Sequence, residues 1–203
     1  SRYEYAADYR SATVIAADTP EQRREEVTRD PTTRLITEAR TRDHLGALVA
    51  RTAWTYNVRN QLLAVTAFDP DGATGATRST TMTYCDTVDV TAGTCPLVGL
   101  VTKTDGPRTG ATDVVAYTYR MADEPACAAS PSTCAYRKGD LWTATNALGH
   151  VVETLRSDGG GRPLSLRDAN GIVTDIDYDP RGRVIASKVR GTVDNSEADD
   201  RIA

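Results

Sequence analysis

Apolar and polar residues alternate in short bursts along the second half of the chain. Leu164 and Leu166 alternate with Ser165 and Arg167, and Ile172, Thr174, Ile176 and Tyr178 oppose Val173, Asp175 and Asp177. Val184, Ala186 and Lys188 oppose Ile185, Ser187 and Val189, a strand whose inner face is less clearly marked. A period of two is that of a half-buried strand, and no 3.6-residue apolar stripe runs through 146–190. The bursts are separated by one turn phrase, Asp/Asn-x-x-Gly: Asn146 to Gly149, Asp158 to Gly161, Asp168 to Gly171 and Asp179 to Gly182. Asp or Asn at the first corner of a turn bonds its own backbone two residues on, and Gly at the fourth accepts positive φ. Starts at 146, 158, 168 and 179 leave room only for short strands. The region is predicted to be a β-meander built from repeats.

The phrase continues upstream. Asp43 to Gly46 and Asp69 to Gly72 keep both corners, whereas Asp30-Pro31-Thr32-Thr33 and Asn57-Val58-Arg59-Asn60 lose the Gly. Asn60 can enter the left-handed region, but Thr33 is β-branched, so a different turn type is expected at Asp30. Residues 1–29 are expected to hold one or more strands, with two alternatives for Glu21 to Glu26: a short helix after Pro20 or a charged strand edge. The organisation that follows is 1–29, degenerate repeats over 28–73, a cysteine-containing insertion with hairpins over 74–135, clearer repeats over 136–190, and a loop over 191–203.

Composition narrows this picture. A chain of 203 residues with one Phe, two Trp and nine Tyr spreads its apolar residues thinly, and mean hydropathy is −0.43. That suits a sheet one layer thick better than a deep sandwich core. The net charge of −4 and the lack of a dense Lys/Arg stripe disfavour nucleic-acid binding by counterion release. No stretch approaches the roughly 18 apolar residues of a membrane span. The chain starts Ser1-Arg2 and ends Ile202-Ala203, and it reads as a segment of a longer polypeptide.

All four cysteines lie in the insertion. Cys85 and Cys95 bracket nine residues, and Cys127 and Cys134 bracket six that include Pro131. Four cysteines allow three pairings. Local pairing, 85–95 with 127–134, closes each loop simply and is the expectation, with free thiols and a metal as alternatives. Zinc sites usually separate paired cysteines by only two to four residues. Paired cysteines imply an oxidising compartment, hence secretion or the cell surface.

Tyr178-Asp179-Pro180-Arg181-Gly182-Arg183-Val184 resembles the Tyr-Asp-x-x-Gly-Arg-Leu core of the YD repeat, the unit of RHS-type proteins. Ser157 to Arg162 is similar with Ser for Tyr, and Tyr56 to Leu62 is a degenerate copy. Phe68 to Gly72 and Asn146 to His150 resemble the second half of the unit. The resemblance implies an all-β fold of repeated antiparallel hairpins, part of an open spiral sheet from a hollow shell. In bacterial RHS proteins and insecticidal toxin complexes such a shell encloses a toxic C-terminal domain, and the related teneurins act in adhesion. The implied partners are neighbouring repeats of the same longer chain and an enclosed toxin domain. The family's autoproteolytic signature does not extend from Asp69-Pro70-Asp71-Gly72, so no catalytic residue is carried over.

The residues themselves give little chemistry. His44 and His150 each sit beside a turn Gly and read as solvated corners. No nucleophile elbow, His-x-x-x-His pair or phosphate-cradling loop occurs. Asp175, Asp177 and Asp179 alternate on one strand and could hold calcium with added carbonyls, although charges that deter edge pairing are the simpler account. Tyr56, Tyr84, Tyr117 and Tyr119 are expected to pack across strands, with a sugar-binding platform as the alternative. The expected function is a non-catalytic shell segment without cofactor or metal, and the alternative is a surface adhesion or carbohydrate-binding module with a glycan as partner.

Overall fold

The computed structural model describes residues 1–6, 10–17, 19–70, 75–108, 112–131 and 134–191, together with the backbone of Arg201–Ile202. Gly72, one of the expected corners, lies outside the described residues. The chain divides into two compact units, Ser1–Thr83 with Thr104–Thr112, and Tyr84–Lys103 with Asp113–Ala203.

The first unit is an antiparallel meander of β1 (Arg2–Tyr5), β2 (Arg10–Ile15), β3 (Arg23–Arg29), β4 (Ile36–Arg42), β5 (Leu48–Tyr56), β6 (Leu62–Phe68) and β7 (Thr77–Tyr84), hydrogen-bonded in chain order. The charged run after Pro20 is therefore strand, not helix. Arg24, Glu26 and Thr28 stand opposite Arg42, Arg40 and Glu38 on β4 and opposite Val14, Ala12 and Arg10 on β2. Val14 and Ala12 are buried, although they share a face with charged residues. Long Arg and Glu stems can cover small apolar side chains while their heads stay in water. That face carries a ladder of ion pairs: Arg24 bridges Glu4 (2.8 Å) and Glu26 (2.9 Å), Arg42 reaches Glu26 (3.2 Å), and Arg51 and Arg40 both reach Glu38.

β8 (Val101–Asp105) has residues in both units. The second unit opens with α1 (Thr87–Thr91), a short helix inside the first cysteine loop. It continues through β9 (Val114–Tyr119), a 3₁₀ turn at Pro125–Ala128, β10 (Leu141–Thr145), β11 (Val151–Ser157), β12 (Pro163–Arg167), β13 (Val173–Tyr178), β14 (Val184–Val189) and β15 (Arg201–Ile202). These strands again pair antiparallel in chain order. The architecture is all-β, open and unclosed, with α1 as a departure that the strand pattern did not show. Every described strand belongs to this succession, so neither unit has a second sheet against which to bury a face. The buried apolar residues among those described are accordingly few: Ala12, Val14, Pro96 and three of the cysteines.

Burial on β12 departs from the alternation read in the sequence. Ser165 is buried, whereas Leu164 and Leu166 are only partly covered. Ser165 sits in a row between Arg156 and Asp175, and Arg190 grips Asp175 with two hydrogen bonds of 2.7 and 3.0 Å. A small side chain flanked by long, paired neighbours loses water more completely than a leucine on an uncovered face.

Candidate functional site

Six corners share one geometry. Asp43, Asn57, Asn146, Asp158, Asp168 and Asp179 each accept, through one side-chain oxygen, the backbone N–H two residues on and the N–H four residues on, at 2.8–3.0 Å. The fourth residue donates its N–H back to the first carbonyl at 2.9–3.1 Å. That fourth residue has positive φ in every case: Gly46, Gly149, Gly161, Gly171 and Gly182 at 79–82° or 84°, and Asn60 at 62°. This is a type I turn closed by a left-handed residue, the common three-residue hairpin connection. The short Asp or Asn side chain is required because its oxygen must reach N–H groups of its own turn.

Asp30 builds a different corner. Its carboxylate accepts from the N–H of Thr32 (2.9 Å) and of Thr33 (2.7 Å), and the left-handed residue is Arg34, φ 65°. The loop is one residue longer, which takes β-branched Thr33 out of the position it would strain. Asp69 opens a longer loop still, closed by its N–H on the Ala76 carbonyl at 3.0 Å.

The Arg that follows the corner Gly completes the motif. Arg162 Nε donates to Asp158 at 2.6 Å, and Arg183 Nε donates to Asp179 at 2.7 Å. Hydrogen bonds donated by the backbone N–H of Arg162 and of Arg183 lead the causes that hold the Asp158 and Asp179 carboxyls below the ordinary range, with the guanidinium groups adding to them.

The Tyr before the corner has its own role. Tyr178 donates its hydroxyl to the carbonyl of Pro163 (2.9 Å), and Tyr56 donates to Ile36 (2.8 Å). Tyr119 does the same to Val101 at 2.6 Å. In each case a Tyr that ends one strand is stapled to the residue that begins the strand before it. Tyr119 precedes Arg120 rather than Asp, so the staple is separable from the corner; sequence spacing alone did not reveal it.

Both disulfides are local. Cys85 pairs with Cys95 and Cys127 with Cys134, and none of the four is free. Inside the first loop Asp86 caps α1, accepting from Val88 and Asp89, while the Asp89 carboxylate accepts the Asp86 N–H. The Asp86-x-x-Asp89 spacing is a capping-box signal that could have marked this helix. Cys85 itself is tied to the chain beyond the loop, its N–H to Leu100 and its carbonyl to Gly99. In the second loop Glu124 lies with both sulfurs inside 4.8 Å, the spacing of a metal cluster. Both sulfurs are spent in the bond, and Glu124 accepts the Ala135 N–H at 2.6 Å.

The remaining candidates are placed as follows. His44 and His150 are exposed at their corners. Asp175 belongs to Arg190, and Asp179 belongs to its own turn, so two of the three alternating aspartates are already engaged.

No protein-family model matches the sequence, and no curated protein matches it significantly. In fold, the chain is similar to a chain of the Tc holotoxin pore of Photorhabdus luminescens carrying a TccC3 mutation, at 11% identity and a TM-score of 0.23. That match covers 89% of this chain and 13% of the other. A chain of the TcdB2–TccC3–Cdc42 complex is similar at 11% identity and a TM-score of 0.22, over 90% of this chain and 14% of the other. The chain thus spans about an eighth of the length of these structures.

Proposed function

We propose that this chain is a non-catalytic wall segment of an RHS-type shell that encloses a toxic domain of the same polypeptide. The observation that carries the reading is the repeated corner: Asx turn, left-handed residue and, in two copies, the Arg clamp, with a Tyr staple leading into two of the corners. Such a unit adds strands without limit and concentrates its side-chain chemistry on holding corners. The backbone groups of the ladder are paired with neighbouring strands, which suits a barrier better than a binding cleft. The two disulfides fasten the loops that interrupt the repeat and fit a secreted protein or a cell-surface one.

Limited proteolysis of the parent polypeptide tests this. The downstream domain should resist protease while the wall is intact and become cleavable when Gly161→Val and Gly182→Val loosen two corners. A downstream domain that is cut equally in the parent and in the variant removes the reading. Surface adhesion is the second reading, and the exposed Trp142 beside Glu153 and Arg167 favours it.

A further inference from the structure

The second cysteine loop gathers more donor groups than its disulfide uses. Glu124 precedes the 3₁₀ turn, Cys127 lies on it and Cys134 returns beside them, with one donor atom of each inside 4.8 Å of the others. The Glu124 carboxylate makes no cap to the turn. It is held from the other side, accepting the Ala135 N–H at 2.6 Å, and the Ala135 carbonyl in turn accepts the Ser157 N–H at 2.7 Å. The Tyr136 carbonyl ties the same group together. It accepts the Glu124 N–H at 3.2 Å and lies 3.3 and 3.2 Å from the sulfurs of Cys127 and Cys134.

Two sulfurs and a carboxylate suit a zinc ion, which is borderline-soft, whereas calcium and magnesium take oxygen donors. Tetrahedral zinc, with bonds of about 2.3 Å to sulfur and about 2.0–2.2 Å to oxygen, sets its ligand atoms about 3.5–3.8 Å apart. That spacing falls inside the limit already met by Glu124, Cys127 and Cys134. Six residues separate the two cysteines in sequence, more than zinc pairs usually show, but the fold has closed that gap. The first loop offers no such set among the described residues. Asp86 and Asp89, beside Cys85, are turned onto the backbone of α1 and form no cluster with its sulfurs.

We propose that Glu124, Cys127 and Cys134 bind a zinc ion when the Cys127–Cys134 bond is reduced, so that the loop has two alternative fasteners. Reduction by a dithiol delivers two electrons and two protons to the disulfide, leaving two thiols while the dithiol closes to its own disulfide. Zinc then displaces both thiol protons to solvent and forms two Zn–S bonds and one Zn–O bond, with water in the fourth position. A disulfide oxidant reverses this: the thiolates give up two electrons, the S–S bond re-forms and zinc leaves. Any chain that ends in an oxidising compartment is first made in a reducing one, where the loop has no disulfide to close it. The Ala135 N–H orients the carboxylate beforehand, as a second partner does for many metal ligands. The site is built from the second unit alone and does not depend on the wall reading.

Titration of the 203-residue chain with Zn²⁺ and Co²⁺, after anaerobic reduction by a phosphine that is then removed, tests the proposal. The reduced chain should take one equivalent of zinc with a Kd of about micromolar or tighter, and the oxidised chain none. Cobalt in the same site should give a thiolate-to-metal charge-transfer band that zinc abolishes. Cys127→Ser with Cys134→Ser should remove the band, and Glu124→Gln should weaken zinc binding at least about tenfold. Alkylation of the reduced chain should find Cys127 and Cys134 shielded by zinc, with Cys85 and Cys95 still reactive. That map is read on the unsubstituted chain, so it decides the matter even where a variant fails to fold. The proposal is overturned if the reduced chain takes up no zinc at about 100 μM, if zinc shields Cys85 and Cys95 instead, or if Glu124→Gln leaves affinity unchanged.

Discussion

Arg162 lies over the ring of Tyr178, its Cζ 4.9 Å from the centroid, while its Nε donates to Asp158. One guanidinium thus clamps its own corner and covers the Tyr that leads into the corner 21 residues later. Tyr178 answers by donating its hydroxyl to Pro163, the residue after Arg162. Successive turns along this edge are therefore linked by side chains as well as by the strand ladder. Gly182 belongs to the same arrangement: a Cβ there would collide with the Arg162 guanidinium.

Gly182→Ala should accordingly cost more than the same change at Gly171. Both have φ above 79°, but open space surrounds Gly171. Left-handed strain alone is worth on the order of 1 kcal/mol, and strain plus displacement of Arg162 should bring Gly182→Ala to about 2–3 kcal/mol. Denaturant unfolding of Gly182→Ala in the presence and absence of Arg162→Ala checks this. The excess should vanish when Arg162 is absent, and equal costs at Gly171 and Gly182 would show that Arg162 yields freely.

Tyr178→Phe keeps the ring beneath Arg162 and deletes only the staple to Pro163. Loss of this hydrogen bond should cost about 1 kcal/mol, and Tyr56→Phe should cost a similar amount through Ile36. Because the two staples lie in different units, the double variant should show additive losses in unfolding experiments.

The corners were legible because their chemistry is local. An Asp or Asn oxygen that must bond N–H groups two and four residues on, and a fourth residue with positive φ, are constraints that one short stretch of sequence carries whole. Local cysteine spacing likewise pointed to the pairs that form. What the sequence hid depends on partners across strands. The Tyr56 and Tyr178 staples reach back 20 and 15 residues, and Ser165 is buried by its row neighbours rather than by its own character. Trp142 was illegible for a related reason: a bulge breaks the period-two rule at Thr143, and Glu153 is its partner from the next strand. Helix α1 escaped because five residues are too few to set up an apolar stripe.

The two disulfides should differ in access. Cys85 and Cys95 are both buried, whereas Cys134 is only partly covered. Thiolate attack needs a reachable sulfur, so graded reductant should open Cys127–Cys134 before Cys85–Cys95. Peptide mapping with alkylation at each step reads the order. Replacing Cys85 and Cys95 by Ser should cost about 2–3 kcal/mol on the loop-closure relation for a ten-residue separation.

Acid should destabilise the chain through its paired carboxylates. Glu4 and Asp175 are held below their ordinary values chiefly by hydrogen bonds from Arg24 and Arg190. For Glu26 and Glu38 burial acts in the other direction, and the bonds from Arg24 and Arg42, and from Arg40 and Arg51, outweigh it. A carboxyl with a lowered folded pKa contributes stability that is complete above its unfolded value, near 4, and that is lost as pH falls through the folded value. Tm should be flat from about pH 7 to 5 and drop steeply below about 4. Asp175→Asn should reduce that drop, and an unaltered acid limb would mean that the Arg190 pair contributes nothing to it.

The outer edge of β1 should be the adhesive part of the isolated chain. Among the described residues β1 has one strand partner, β2, so the other side of its backbone offers unpaired N–H and C=O groups. Tyr3 and Tyr5 alternate along it, 65% and 82% exposed, and add apolar area to that template. Glu4, which would otherwise discourage pairing by its charge, is neutralised by Arg2 and Arg24. An edge with free backbone groups, aromatic cover and no net repulsion recruits other strands. The 203-residue chain should therefore associate at micromolar to millimolar concentration, and Tyr3→Lys with Tyr5→Lys should shift the association to higher concentration. Light scattering across that range decides: a strict monomer, or association indifferent to the two lysines, would place the contact elsewhere on the chain.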